Sequence, residues 1–95
     1  MTSDYIFTRH AKERSIERTI PPMVVEFIME FGESIDAGEG ARKYILTKRS
    51  MRELRQRAGR EITKALDFYR SRYAYVVANG NRVLTVAYAN YQLLH

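Results

Sequence analysis

Residues 73 to 89 read Tyr73-Ala-Tyr-Val-Val-Ala-Asn-Gly-Asn-Arg-Val-Leu-Thr-Val-Ala-Tyr-Ala89. Two alternating runs flank Asn79-Gly80-Asn81, and an Asn-Gly step between such runs is the strongest short-range signal of a β-hairpin. Strict alternation puts Val83, Thr85, Ala87 and Ala89 on one face of the last strand and Leu84, Val86, Tyr88 and Asn90 on the other. Gly38-Glu39-Gly40 is a second turn signal, between strands expected over 34–37 and 43–47. On the latter strand Tyr44 and Leu46 face one side, Lys43 and Ile45 the other. Tyr5, Ile6 and Phe7 read either as a short first strand or as a segment packed on the core.

Elsewhere the apolar period is that of a helix. Pro22 suits a first helical position and Gly32 the position just past the end, with Ile20 stapling onto Val25 and Met23, Val24, Phe27, Ile28 and Phe31 on the buried face. Upstream, Thr8 can cap a helix running to about Arg18, with Ala11 and Ile16 inward. A third helical stretch starts near Ser50, where Met51, Leu54, Ala58, Ile62, Ala65 and Tyr69 recur at three- and four-residue steps. Gly59 interrupts it, so one bent helix and two separate helices are both open. Two helices, a strand pair, a helical stretch and a hairpin spell an α+β fold, a small antiparallel sheet with helices packed on one face.

Ninety-five residues, 45% of them apolar, suffice for one core and a single domain over 1–95. The absence of cysteine excludes disulfides and thiolate metal sites and favours a cytoplasmic location. No charged leader precedes an apolar run, so no signal peptide is expected. The longest nearly apolar run, Ile20 to Met29, is broken by Glu26 and is too short to span a bilayer; no membrane partner is expected.

The net charge of +5 is unevenly spread. Between 42 and 60, Arg42, Lys43, Lys48, Arg49, Arg52, Arg55, Arg57 and Arg60 are opposed by Glu53 alone, so this segment carries +7 and the rest of the chain −2. Such a concentration repels itself, and a polyanion would relieve the repulsion. A nucleic acid or an acidic protein is therefore the expected partner; a solvated basic helix is the bland alternative.

His10 and Arg14 stand four apart and project from one helix face. Histidine is the natural proton carrier near neutral pH, and arginine clamps phosphate with paired donors. Together they suit phosphoryl chemistry, although a surface His beside an Arg is common by chance. His95 is a terminal residue, and such residues are usually frayed. Two histidines without His-x-x-x-His spacing offer too few ligands for a metal, and no dinucleotide or Walker loop is visible, so neither metal nor cofactor is expected. The acidic residues Glu26, Glu30, Glu33, Asp36 and Glu39 read as an exposed helix face and turn. Tyr44, Tyr73, Tyr75, Tyr88 and Tyr91 fall in or beside strands, where cross-strand packing is the ordinary role. Tyr88 is the best candidate for stacking on a base; Thr85, three positions earlier, takes the opposite face unless a bulge intervenes.

Phe7-Thr8-Arg9-His10-Ala11-Lys12-Glu13-Arg14, Arg18-Thr19-Ile20, Phe31-Gly32-Glu33 and Val83-Leu84-Thr85-Val86-Ala87-Tyr88 together resemble a group of small bacterial proteins with a His-Ala-x-x-Arg opening, similar to BrnT and more distantly to the RelE/ParE toxin superfamily. Thr19 and Pro21 depart from that group's usual Gly and Ser. The resemblance implies a toxin-like, metal-independent endoribonuclease silenced by a cognate antitoxin, acting on RNA alone or at the ribosome. His10, Arg14 and Thr85 occupy the matching positions. Local chemistry adds Tyr88 to the catalytic candidates and Lys48, Arg49, Arg52, Arg55 and Arg60 as the nucleic-acid contacts. Cleavage would proceed by attack of the 2′-hydroxyl on the adjacent phosphate. A non-catalytic nucleic-acid-binding or protein-interaction module using residues 42–60 is the alternative. The nuclease reading requires the imidazole and the basic segment to share one exposed concavity.

Overall fold

A computed structural model describes residues 4–90; Tyr91 and His95 lie outside the described residues. The elements in chain order are β1 (Ile6–Phe7), α1 (Arg9–Glu17), α2 (Pro22–Phe31), β2 (Glu33–Gly38), β3 (Ala41–Ile45), α3 (Lys48–Ala58), α4 (Arg60–Arg70), β4 (Ala74–Asn79) and β5 (Arg82–Tyr88). Five strands form one sheet in the order β1-β5-β4-β3-β2. Neighbours from β5 to β2 are antiparallel, as expected, whereas β1 joins the edge of β5 in parallel. No helix among the described residues is long and apolar enough to cross a membrane.

Residue pairing across the sheet separates its faces. Ala74, Val76 and Ala78 of β4 are buried and stand opposite Tyr88, Val86 and Val83 of β5. That face meets Val24, Val25 and Ile28 of α2, Leu54 of α3 and Leu66 of α4, which together make the core. The reverse face, turned away from α2–α4, carries Lys43, Ile45, Tyr75, Val77, Thr85 and Ala87. Strict alternation along β5 fails at one point. Ala78 pairs with Val83 but Val77 pairs with Thr85, so Leu84 is an extra, bulged residue. The bulge moves Val83 onto the core face with Val86 and Tyr88, where alternation had put it with Thr85. Because it precedes Thr85, it leaves Thr85 and Tyr88 on opposite faces.

Gly59 decides between one bent helix and two. Its φ of 87° and ψ of 177° end α3 and start α4, in a region of backbone space open almost only to glycine. The helical phase restarts there. Leu66 is accordingly the buried residue of α4, while Ile62 and Ala65, predicted inward from an unbroken period, are exposed.

Two other burial expectations shift for tertiary reasons. Thr8 does cap α1, its hydroxyl accepting from the Ala11 amide at 3.1 Å. Ala11 and Ser15, rather than Ala11 and Ile16, form its buried stripe; Ile16 is 80% exposed. The helix lies along the outer edge of β5, so only a narrow stripe is covered: the Arg18 guanidinium donates to the Val86 carbonyl at 2.8 Å and the Thr8 hydroxyl to that of Leu84 at 3.4 Å. In α2 the buried residues are Val24, Val25, Ile28 and Met29, and Met23 is exposed. Contact with α3 as well as the sheet turns that helix toward Val25 and Met29. Gly32 follows α2 in extended conformation, φ −71° and ψ 159°. It is needed for space: a Cβ there would lie 2.4 Å from the Ile28 carbonyl oxygen and 2.7 Å from that of Ile45.

Candidate nucleic-acid interface

The break at Gly59 folds the basic segment back on the next helix. On α3, Lys48, Met51, Arg52 and Arg55 are linked by three- and four-residue spacings (48/51, 48/52, 51/55, 52/55) and so share a face. On α4, Arg60, Thr63, Lys64, Asp67 and Arg70 do the same. The two stripes face each other across a groove of about 560 Å³ lined by those residues. Met51, packed on the core, contributes its apolar part. Six cations therefore meet one carboxylate. That carboxylate is already engaged, since Arg70 Nε donates to Asp67 Oδ1 at 2.6 Å. Among the described residues, Lys48, Arg52, Arg55, Arg60 and Lys64 have no carboxylate within ion-pair distance. Like charges held this close raise one another's energy, and each keeps its donors for an external anion. At one end the groove meets a smaller cavity of about 270 Å³ that shares Lys48 and Arg70 as lining residues.

Four of the five basic residues singled out from the sequence line this groove: Lys48, Arg52, Arg55 and Arg60. Arg49, on the same helix, does not. Lys64 and Arg70 were missed. The signal that finds them is Gly59: read as a break, it brings the stripe Arg60-Lys64-Asp67-Arg70 opposite Lys48-Arg52-Arg55.

The catalytic candidates lie elsewhere. His10 is exposed, and its Nε2 is 3.2 Å from the Thr85 hydroxyl, on the reverse face of the sheet. His10, Arg14 and Arg18 recur every four residues along α1. Both ends of that stripe touch β5, His10 through Thr85 and Arg18 through the Val86 carbonyl, so Arg14 between them is turned toward the same strand. Arg14 is half-buried, and its Nη1 donates to Glu17 Oε2 at 2.5 Å. Also on the reverse face, Lys43 Nζ sits 4.9 Å from the centre of the Tyr75 ring. The structure thus brings together His10 and Thr85, 75 positions apart, with Arg14 one turn along the same helix face and paired to Glu17.

Tyr88 does not join them. Its ring packs against the core on the opposite face of the sheet, beside Tyr69 and Arg72. Burial, and then Tyr69, push its phenol above the usual tyrosine range, while Arg72 pulls it down. Nor does the groove reach the imidazole: none of His10, Arg14 and Thr85 lines it. The cations sit in the helical layer and the imidazole on the other side of the sheet, in place of the single concavity expected. No group of three or more His, Cys, Asp or Glu among the described residues could hold a metal ion.

Compared with known protein families, curated proteins and solved structures, the chain matches none.

Proposed function

We propose that the protein binds RNA through the groove between α3 and α4. One observation carries this reading: Lys48, Arg52, Arg55, Arg60 and Lys64 converge on that groove without a carboxylate partner. A row of phosphates relieves their mutual repulsion and releases the counterions the phosphates had condensed. Three of the five are arginines, whose planar forks match phosphate better than they match a flexible acidic peptide. The test is fluorescence anisotropy with labelled RNA at low salt. The double variant Arg52→Glu, Arg55→Glu is expected to abolish binding. The double variant Arg49→Glu, Arg57→Glu, with the same change of charge on the same helix but outside the groove, is expected to weaken it only slightly. Equal losses from the two variants would mean that overall charge, not this groove, holds the RNA.

The contact between His10 and Thr85 carries a second reading, in which the protein also cleaves RNA as a toxin-like, metal-independent endoribonuclease under the control of an antitoxin. The groove cations lie on the other side of the sheet, so this reading loses the shared concavity it was expected to need and asks His10, Arg14 and Thr85 to act without them. The resemblance to BrnT and the RelE/ParE toxins supports it, as does an imidazole within hydrogen-bond reach of a hydroxyl on an exposed surface. In that reaction the 2′-oxygen bonds to the adjacent phosphorus, His10 takes its proton, and the 5′-oxygen leaves and is protonated from water. Thr85 orients the imidazole. Arg14 faces the charge that develops on the phosphorus oxygens, once it exchanges Glu17 for the phosphate. Incubation with RNA in EDTA decides the matter. Cleavage by the wild type that disappears in His10→Ala, with RNA binding retained, is the expected pattern; RNA left whole by the wild type would reduce the function to binding.

A further inference from the structure

We infer that the cavity at the end of the groove is a nucleobase pocket, which makes the protein selective for single-stranded RNA. The inference rests on the groove being the RNA-binding site and names the form of RNA that fits it.

Helices α3 and α4 are 11 residues each, so the groove is about 16 Å long at 1.5 Å per residue. That length takes at most about five nucleotides stacked at 3.4 Å each. Packed helix axes lie about 8–10 Å apart, so the groove between their side chains seats the backbone of one strand, and only a strand with unpaired bases can also fill the cavity at its end.

The cavity has an apolar side, made by the buried residues Leu46 and Ala74, and a polar side that includes Thr47 and Ser71. Its rim carries Lys48 and Arg70, which it shares with the groove. A phosphate held at that rim by Lys48, with Arg70 already paired to Asp67, would leave its own base over the apolar side. At about 270 Å³ the space falls just below the ~300–1,000 Å³ of sites for drug-sized ligands, as suits a single base.

Tyr73 supplies the ring. It lines the cavity and is 38% exposed. Its φ of 58° is left-handed, in the turn three residues past the end of α4, where its amide closes on the Arg70 carbonyl at 3.0 Å. Gly or Asn is the usual residue there, because a Cβ in this conformation meets the carbonyl that follows. A bulky aromatic kept in that strained state beside a pocket, with its ring partly exposed, is placed to stack on a base.

The experiment measures binding of a labelled single-stranded RNA and of the same strand annealed to its complement, with inorganic polyphosphate as a competitor that has charge but no bases. Wild type is expected to prefer the single strand by at least about tenfold. Tyr73→Asn, which suits the left-handed backbone, is expected to weaken single-strand binding about tenfold and to leave polyphosphate binding unchanged. Tyr73→Phe should keep both. Equal affinity for duplex and single strand would overturn the inference while leaving the groove as the RNA site. So would a Tyr73→Asn protein that binds the single strand like wild type, or one that loses polyphosphate equally. Should Tyr73→Asn fail to fold, 2-aminopurine in the strand gives the answer on the wild type: quenching on binding supports a stacked base, and unchanged emission refutes it. A wild type that binds none of the three would remove the groove reading itself.

Discussion

Raising salt from 50 to 200 mM measures how many phosphates the α3–α4 groove neutralises. Each phosphate neutralised on a single strand contributes about −0.7 to the slope of log K against log salt. The groove offers five cations without carboxylate partners, Lys48, Arg52, Arg55, Arg60 and Lys64, while Arg70 is occupied by Asp67. Five contacts give a slope of about −3.5, so a fourfold rise in salt should weaken single-stranded RNA binding about 130-fold. Removing one contact, as in Arg55→Gln, should lower the slope to about −2.8 and the loss to about 50-fold. The converse variant is more telling. Asp67→Asn removes a negative charge and frees Arg70, so the slope should steepen toward −4.2, a loss of about 340-fold over the same range. The assay is fluorescence anisotropy at several salt concentrations with fixed RNA. A wild-type slope shallower than about −1.5, or an Asp67→Asn slope no steeper than wild type, would refute the reasoning.

Three further outcomes follow from the fold. Gly32→Ala drives a Cβ into the Ile28 and Ile45 carbonyls, both backbone atoms that cannot swing aside. Its cost should be about 2–3 kcal/mol or more, read as a melting temperature lower by at least about 8 °C. Thr8→Ala removes the cap on the Ala11 amide and the bond to the Leu84 carbonyl; a loss of about 1–2 kcal/mol in denaturant unfolding is expected, with Thr8→Ser restoring most of it. Alkaline titration should destabilise the protein above pH 10. Burial, then the hydrogen bond and charge of Glu30, raise the Tyr5 phenol, and burial, then Tyr69, raise that of Tyr88. A raised pKa means the folded state holds the proton more tightly, so the stabilisation is complete below the ordinary tyrosine value of 10.0 and is lost as pH climbs beyond it. Tyr5→Phe should flatten that alkaline decline, and an unchanged decline would exclude Tyr5 as its source.

Local signals carried much of this structure. The Asn79-Gly80 turn, the Gly38-Glu39-Gly40 turn, the Thr8 cap and Pro22 at the start of α2 act within a few residues, so the chain alone announces them. The same holds for the crowding of positive charge between 42 and 60. What the sequence could not supply is phase and apposition. An extra residue at Leu84 moves Val83 to the core face, and a break at Gly59 makes Leu66 rather than Ala65 the buried residue of α4. Both follow from how segments dock, since either local pattern is compatible with the uninterrupted period.

Composition and spacing by themselves therefore determined an α+β chain with a hairpin close and a basic segment suited to a polyanion. Only the tertiary structure decided that Lys64 and Arg70 stand opposite Lys48, Arg52 and Arg55, that His10 meets Thr85 across the edge of β5, and that the imidazole and the arginines occupy different sides of the sheet. The physical reason is that side-chain identity sets what a residue can bind, whereas which residues act together depends on the docking of distant segments. That docking is fixed by burial of the shared core and not by any of the charged residues themselves.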